Sequence, residues 1–185
     1  MKKKIIGIIG TVGSGKDTAA EYISKKIGIE SYQISQPLKD IAKEKNIEPT
    51  RENLIKIGSD LVKEKGAGFL AQLTLNKIQN NTGIITGIRV LEVIEYLKEN
   101  SDLILLAINA EPEVRFKRIT ERGKLGEADT LEDFVRREEI ENSPPNAQRL
   151  FECLKLADYE ISNNTDIISF QNEIDLFLEK NNLLK

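Results

Sequence analysis

The chain has no histidine and a single cysteine, Cys153. Without imidazole there can be no serine or cysteine triad built on histidine, no histidine-ligated zinc and no phosphohistidine chemistry. One thiol allows no internal disulfide and fits a reducing compartment, read here as the cytoplasm. No apolar run approaches the roughly 18 residues that a bilayer span requires. The opening Met1-Lys2-Lys3-Lys4 leads into only five apolar or glycine residues, too few for a secretion signal. A net charge of −3 offers neither nucleic acid nor an anionic membrane a basic surface, so neither is expected as a partner. What remains for chemistry is carboxylates, lysine, arginine, hydroxyls and backbone dipoles. That inventory suits phosphoryl transfer, which asks mainly for positioning and charge neutralisation.

With 185 residues, 39% of them apolar and 31% charged, the chain can form a single domain over residues 1–185. A domain of this size buries about 70% of its unfolded surface. Its organising stretch is Gly10-Thr11-Val12-Gly13-Ser14-Gly15-Lys16-Asp17-Thr18, which follows the apolar run Ile5-Ile6-Gly7-Ile8-Ile9. Two glycines with four residues between Gly10 and Gly15, then lysine, make the spacing of a Walker A phosphate loop. Glycines let consecutive N–H groups converge on one concavity. A helix expected from Ser14 to about Ile27 adds the positive end of its dipole, and Lys16 can reach terminal phosphates. The loop residues Gly10, Val12, Gly13, Ser14, Gly15, Lys16, Asp17 and Thr18 are therefore the candidate site for ATP. After Lys16, where Ser or Thr ordinarily holds Mg²⁺, stands Asp17, with Thr18 next. Either Asp17 meets the metal, directly or through water, or Thr18 gives its hydroxyl to a phosphate and the metal is held elsewhere.

Further along, apolar runs alternate with helical periodicity. Strands are expected at Ser31–Ser35, Ile84–Ile88, Leu103–Asn109 and Tyr159–Ser162. Helices are expected from Leu38 to Lys45, from Thr50 to about Lys65, and over Phe69–Gln79, Val90–Glu99 and Glu113–Arg122. Three more are expected from Thr130 to Glu141, from Asn146 to Ala157 and from Ile167 to Lys180. Thr130 with Asp133 forms a capping box. This alternation predicts an α/β three-layer fold with a parallel sheet of five strands covered on both faces. The phosphate loop, Ser35, Arg89 and Asn109 would then all lie at the carboxyl ends of strands. Residues 36–80 are too long for a simple crossover and read as an acceptor-binding helical insertion, with Ser35, Lys39, Arg51 and Arg89 as acceptor contacts. Arg115, Arg118 and Arg122 share one helix face, and residues 115–145 read as a lid. Arg118 and Arg122 are the candidates to neutralise charge on a transferring phosphoryl group, Arg115 less so.

Taken together these residues resemble the nucleoside and deoxynucleoside monophosphate kinase branch of the P-loop kinases. Gly15-Lys16-Asp17-Thr18 is similar to the loop of phage-type deoxynucleoside monophosphate kinases, and Ser35-Gln36-Pro37-Leu38-Lys39 to the family's aspartate-proline-leucine-lysine stretch. Gly87–Glu95, Pro112–Ile119 and Leu156–Asn163 resemble archaeal dephospho-coenzyme A kinase-like proteins. The resemblance implies a P-loop NTPase fold whose five-stranded parallel sheet has the adenylate-kinase-like order 2-3-1-4-5. It also implies an ATP- and Mg²⁺-dependent kinase of a small nucleotide substrate, working as a monomer or homodimer, with Lys16, Asp17, Arg118 and Arg122 as its catalytic set. Two departures stand out. Thr86 occupies the place where an aspartate of such kinases organises Mg²⁺, and Gln36 replaces the aspartate before the proline. Asp17, with Asp40 or Glu92, is left to take over metal or base duties, unless the chain is a nucleotide-binding regulatory protein that has lost transfer. Neither an Asp-x-x-Gly nor an Asn-Lys-x-Asp motif is present, which argues against a GTPase switch.

Overall fold

A computed structural model of the chain describes residues 2–66, 68–123, 130–143 and 149–184, leaving aside the side chain of Arg51. The elements follow one another as β1 (Lys4–Ile9), α1 (Lys16–Ile27), β2 (Ser31–Gln33), α2 (Gln36–Glu44), α3 (Arg51–Lys65), α4 (Phe69–Lys77) and β3 (Thr82–Thr86). Then come α5 (Leu91–Asn100), β4 (Asp102–Asn109), α6 (Pro112–Glu121), α7 (Leu131–Glu141), α8 (Leu150–Leu154), β5 (Tyr159–Ser162) and α9 (Ile167–Lys180).

The five strands are all parallel and lie in the order β2-β3-β1-β4-β5, as expected. β1 is central, with Ile6 opposite Ile84 on one side and Ile104 on the other. Because successive side chains alternate between sheet faces, its isoleucines divide between two layers. Ile5 and Ile9 join Ile85, Leu105 and Ala107 beneath α4, α5 and α8. Ile6 and Ile8 join Ile84, Leu106 and Ile108 beneath α1 and α9, where Ala19, Ile23, Phe170 and Ile174 complete the packing. Burying such side chains on both faces is worth roughly 1.5–3 kcal/mol each, which explains why these strands read as continuous apolar runs.

Local signals set most of the boundaries. Gly28 ends α1 in the left-handed conformation, its N–H bonded to Ser24 O at 3.0 Å. Thr50 caps α3 and Thr130 caps α7, each hydroxyl accepting an N–H three residues on. Some expectations shift. α1 starts at Lys16 rather than Ser14, because Gly15 is left-handed and breaks the helical path. β2 ends at Gln33: Pro37 in the first turn draws Gln36 into α2 and leaves Ser35 as its N-cap. α8 spans only Leu150–Leu154, and the expected Asn146 cap lies outside the described residues, as does most of the loop at 123–127. Helices α2 and α3 carry a small core of their own around Leu38, Ala42 and Ile57. α6 and α7 share another at Ile119 and Phe134. Among the described residues no helix is long and apolar enough to cross a membrane.

Candidate nucleotide site and adjoining cleft

β1 delivers the chain to the phosphate loop at buried Gly10. A Cβ at Gly10 would lie 2.5 Å from both Ile108 O and Ser14 Oγ, so no side chain fits there. Gly15 has φ of +99°, and a Cβ on it would meet Asn163 Nδ2 at 2.2 Å. Side chains from outside then hold three successive loop carbonyls. Arg115 Nη1 donates to Val12 O at 3.3 Å, Arg118 Nη1 to Gly13 O at 3.5 Å, and Asn163 Nδ2 to Ser14 O at 2.8 Å. A trans peptide points its N–H opposite to its carbonyl. Pinning these oxygens outward therefore turns the N–H groups of Gly13, Ser14 and Gly15 toward the inside of the loop, where that of Ser14 meets Thr11 O at 3.2 Å. The N–H groups of the first turn of α1 face the same way, since a helix leaves them without intrahelical acceptors. The Ser14 hydroxyl is buried without a hydrogen-bond partner among the described residues. Such an orphan is costly unless a ligand satisfies it.

Lys16 extends from the start of α1 with its ammonium 3.8 Å from Asp17 Oδ2. Burial pushes its pKa below the ordinary lysine value; Asp17 partly opposes this and nearby Arg89 adds to it. A buried ammonium that burial has stripped of water gains most when an anion arrives. Asp17 is exposed and Thr18 half-buried. Both are hard oxygen donors of the kind Mg²⁺ takes, alongside waters and phosphate oxygens. Among the described residues no cluster of three carboxylate or thiol groups forms a ready-made metal cage. Polyphosphate and Mg²⁺ therefore fit the residues present, with the phosphates supplying most of the ligands.

The loop opens onto a cleft of about 800 Å³. Val12, Lys16 and Asp17 form one end, Gln33, Ser35, Thr86 and Arg89 come from the carboxyl ends of β2 and β3, and helices α2 to α4 supply the opposite wall. The structure thus brings Lys16, Asp17, Ser35 and Arg89 together. Lys39 is not among them: it sits on the outer side of α2, in a separate groove with Gln36, Asp40 and Lys43. The side chain of Arg51 lies outside the described residues. Two carboxylates named as replacements for the missing aspartates are occupied elsewhere. Asp40 pairs with Lys77 and accepts Gln36 Nε2 at 2.9 Å, and Glu92 pairs with Arg149.

Of the three arginines on α6, Arg118 reaches the loop, and its Nη2 also donates to Asn163 Oδ1 at 3.3 Å. Burial lowers its pKa, with help from neighbouring Arg122. Arg122 is exposed at the carboxyl end of α6. Arg115 is buried and bidentate to Glu138 of α7, both bonds 2.8 Å. Asn163 was not legible as a site residue, because its 147-residue separation from Lys16 is closed only by the sheet. The hint was two asparagines directly after the last strand. Cys153 is no nucleophile, since burial pushes its thiol up to about 11.

Sheet order, loop and flanking helices define a domain of the P-loop kinase fold. An AAA domain family model matches residues 6–142. Sequence relatives span the chain nearly end to end. The UPF0200 protein of Hyperthermus butylicus is 30% identical over 179 residues, covering 95% of this chain and 94% of its own. The UPF0200 protein of Pyrococcus horikoshii is 31% identical over 184 residues, covering 95% and 96%. The chain belongs to the AAA domain family and, more narrowly, to the UPF0200 proteins. In fold it is similar to shikimate kinase from Acinetobacter baumannii, solved in complex with shikimate, with a TM-score of 0.57 at 17% identity over 96% of this chain and 94% of that one.

Proposed function

We propose that the protein is an ATP-dependent phosphotransferase whose acceptor is a small phosphate-bearing metabolite. The observation that carries this reading is a lysine-bearing phosphate loop that opens directly into a second cleft large enough for a metabolite. The loop N–H groups and Lys16 hold the β- and γ-phosphates, and Thr18 takes a phosphate oxygen. Asp17 or Thr18 holds Mg²⁺, which when bound offsets the charge of the phosphate tail. Arg118, already at the loop, and Arg122 one turn on neutralise charge on the transferring group. Ser35 and Arg89 face the acceptor.

In transfer, the bond between the γ-phosphorus and the β,γ-bridging oxygen breaks. A bond from the γ-phosphorus to an acceptor phosphate oxygen forms, leaving ADP and a diphosphate. A phosphomonoester loses its second proton near pH 6, so at neutral pH the attacking oxygen carries none. No general base is required, which makes Thr86 tolerable at the end of β3. A (deoxy)nucleoside monophosphate is the acceptor that the sequence resemblance implies. Dephospho-coenzyme A fits less well, because its ribose hydroxyl must lose a proton while Thr86 stands in the place of the usual aspartate and Asp40 and Glu92 are paired with Lys77 and Arg149.

The same pairing of Asp40 and Glu92 favours a second reading, a nucleotide-binding regulatory protein without transfer. Coupled detection of ADP release over a panel of monophosphates separates the two. Turnover with any acceptor, lost in Lys16→Ala, supports the phosphotransferase. ATP binding with no turnover on the whole panel supports the regulator.

A further inference from the structure

The wall of the cleft opposite the phosphate loop points to the body of the acceptor, an inference that rests on the phosphotransferase reading. From α2, α3 and α4 the cleft is lined by Leu38, Leu54, Ile55, Gly58, Val62 and Leu70. None carries a hydrogen-bonding side chain. The charged side chains on the lining are Lys16, Asp17 and Arg89 by the loop and strand ends, and Glu141 of α7. Among the described residues the cleft is therefore charged and polar at the loop and strand ends and hydrocarbon along α2, α3 and α4, with Glu141 of α7 also on its lining.

A second observation agrees. Single exposed apolar side chains are ordinary on a protein surface. Here Val12 (43% exposed), Ile55 (63%) and Val62 (40%) come from two separate elements and all border the same cleft. On α3 the remaining exposed positions are polar, among them Lys56, Asp60, Lys63 and Glu64. Ile55, Gly58 and Val62 follow three-and-four spacing and so share one helix face. Gly58 in the middle leaves a recess between its two neighbours, floored by Leu38, whose Cδ1 lies 3.4 Å from where a Cβ would stand. Glycine inside a helix is unfavourable for the helix itself, and here it stands where α3 packs on Leu38 and borders the cleft.

The edge of a nucleobase or a polyhydroxylated sugar pressed against this wall would give up hydrogen bonds to water and find none among the side chains of α2, α3 and α4 that line it. A hydrocarbon body would gain from the same burial. We propose that the acceptor is a phosphomonoester with a hydrocarbon body, an alkyl or aryl phosphate. Its phosphate sits at the Lys16–Arg89 end and its body lies over Gly58 between Ile55 and Val62. Transfer from ATP then yields ADP and the alkyl or aryl diphosphate, by the bond changes given above.

The test is isothermal titration of the full chain, saturated with ADP and Mg²⁺, using 1-naphthyl phosphate, n-hexyl phosphate, AMP, dTMP and glycerol 3-phosphate. The hydrocarbon phosphates are expected to bind at least tenfold more tightly than the other three. Ile55→Asn and Val62→Asn, both at exposed positions that tolerate polar side chains, are each expected to weaken 1-naphthyl phosphate at least fivefold with ATP affinity unchanged. Gly58→Leu, which fills the recess, is expected to do the same. Equal or tighter binding of AMP, dTMP or glycerol 3-phosphate overturns the inference, as does indifference of 1-naphthyl phosphate to both asparagine variants. Coupled ADP release keeps the two readings apart. The expected binding pattern with no transfer to any acceptor removes the phosphotransferase and leaves the cleft's preference standing. Transfer to nucleotides in preference to hydrocarbon phosphates does the reverse.

Discussion

Removing the carboxylate of Glu138 should destabilise the whole fold and not only the α6–α7 pair that it joins. Arg115 is 5% exposed and Glu138 12%, and the pair is joined by two bonds of 2.8 Å. The guanidinium also donates Nε to Ala110 O at 3.0 Å and Nη1 to Val12 O at 3.3 Å, and lies 5.2 Å from the centre of the Phe134 ring. Glu138→Ala therefore leaves a buried cation whose remaining partners are neutral carbonyls and a ring face. Stranding one member of a buried pair costs about 3–5 kcal/mol. For a chain of this size that lowers Tm by about 8–13 °C, readable by calorimetry or circular dichroism. Because Arg115 also tethers Val12 O, ATP affinity should fall in the same variant. Replacing both partners, as in Arg115→Met with Glu138→Leu, removes the stranded charge and should restore most of the stability. It should not restore ATP affinity, since with Arg115 replaced the tether to Val12 O is lost outright. A loss below about 1 kcal/mol in Glu138→Ala, or a double variant as unstable as the single, would refute the reasoning.

Two further outcomes follow from the loop. Burial lowers the pKa of Lys16 in the folded protein, so its charge opposes folding below that pKa, and the penalty fades as pH rises through it toward the ordinary value of 10.5. Lys16→Met should therefore stabilise the nucleotide-free protein by ~0.5–2 kcal/mol at neutral pH, less at alkaline pH, and abolish turnover. Thermal melts across pH against wild type check the sign. Asn163→Ala removes the donor to Ser14 O and the acceptor of Arg118. It should cost about 1–3 kcal/mol and weaken ATP binding, both measurable by chemical denaturation and titration.

Much of the fold and half of the site were readable along the chain. Ile5–Ile9, Ile84–Thr86 and Leu103–Asn109 announce themselves because strands covered on both faces carry mostly apolar side chains, although the strand expected to reach Ile88 ends at Thr86, before left-handed Gly87. The phosphate loop is readable because its chemistry is local: glycine conformations, a helix start and a lysine within nine residues. Thr130, Gly28 and Pro37 mark helix ends for the same reason. What failed to show were roles that depend on a distant neighbour. Lys39 shares a sequence motif with the expected acceptor contacts, yet the turn of α2 carries it to the outside of the helix. Asp40 and Glu92 look available until Lys77 and Arg149 are placed beside them. Arg115, Arg118 and Arg122 are equivalent by spacing, but burial against α7, contact with the loop and exposure make them three different residues.

By itself the sequence determined where strands, helices and the phosphate loop would form, since those depend on side-chain alternation, backbone freedom and capping over a few residues. Only tertiary structure decided which donors hold the loop carbonyls outward, which carboxylates are already paired, and that, among the described residues, the side chains of α2, α3 and α4 lining the cleft are apolar. Those are relations between residues tens to more than a hundred positions apart. They come into being when burial of the two sheet faces brings the strand ends and the inserted helices to one place.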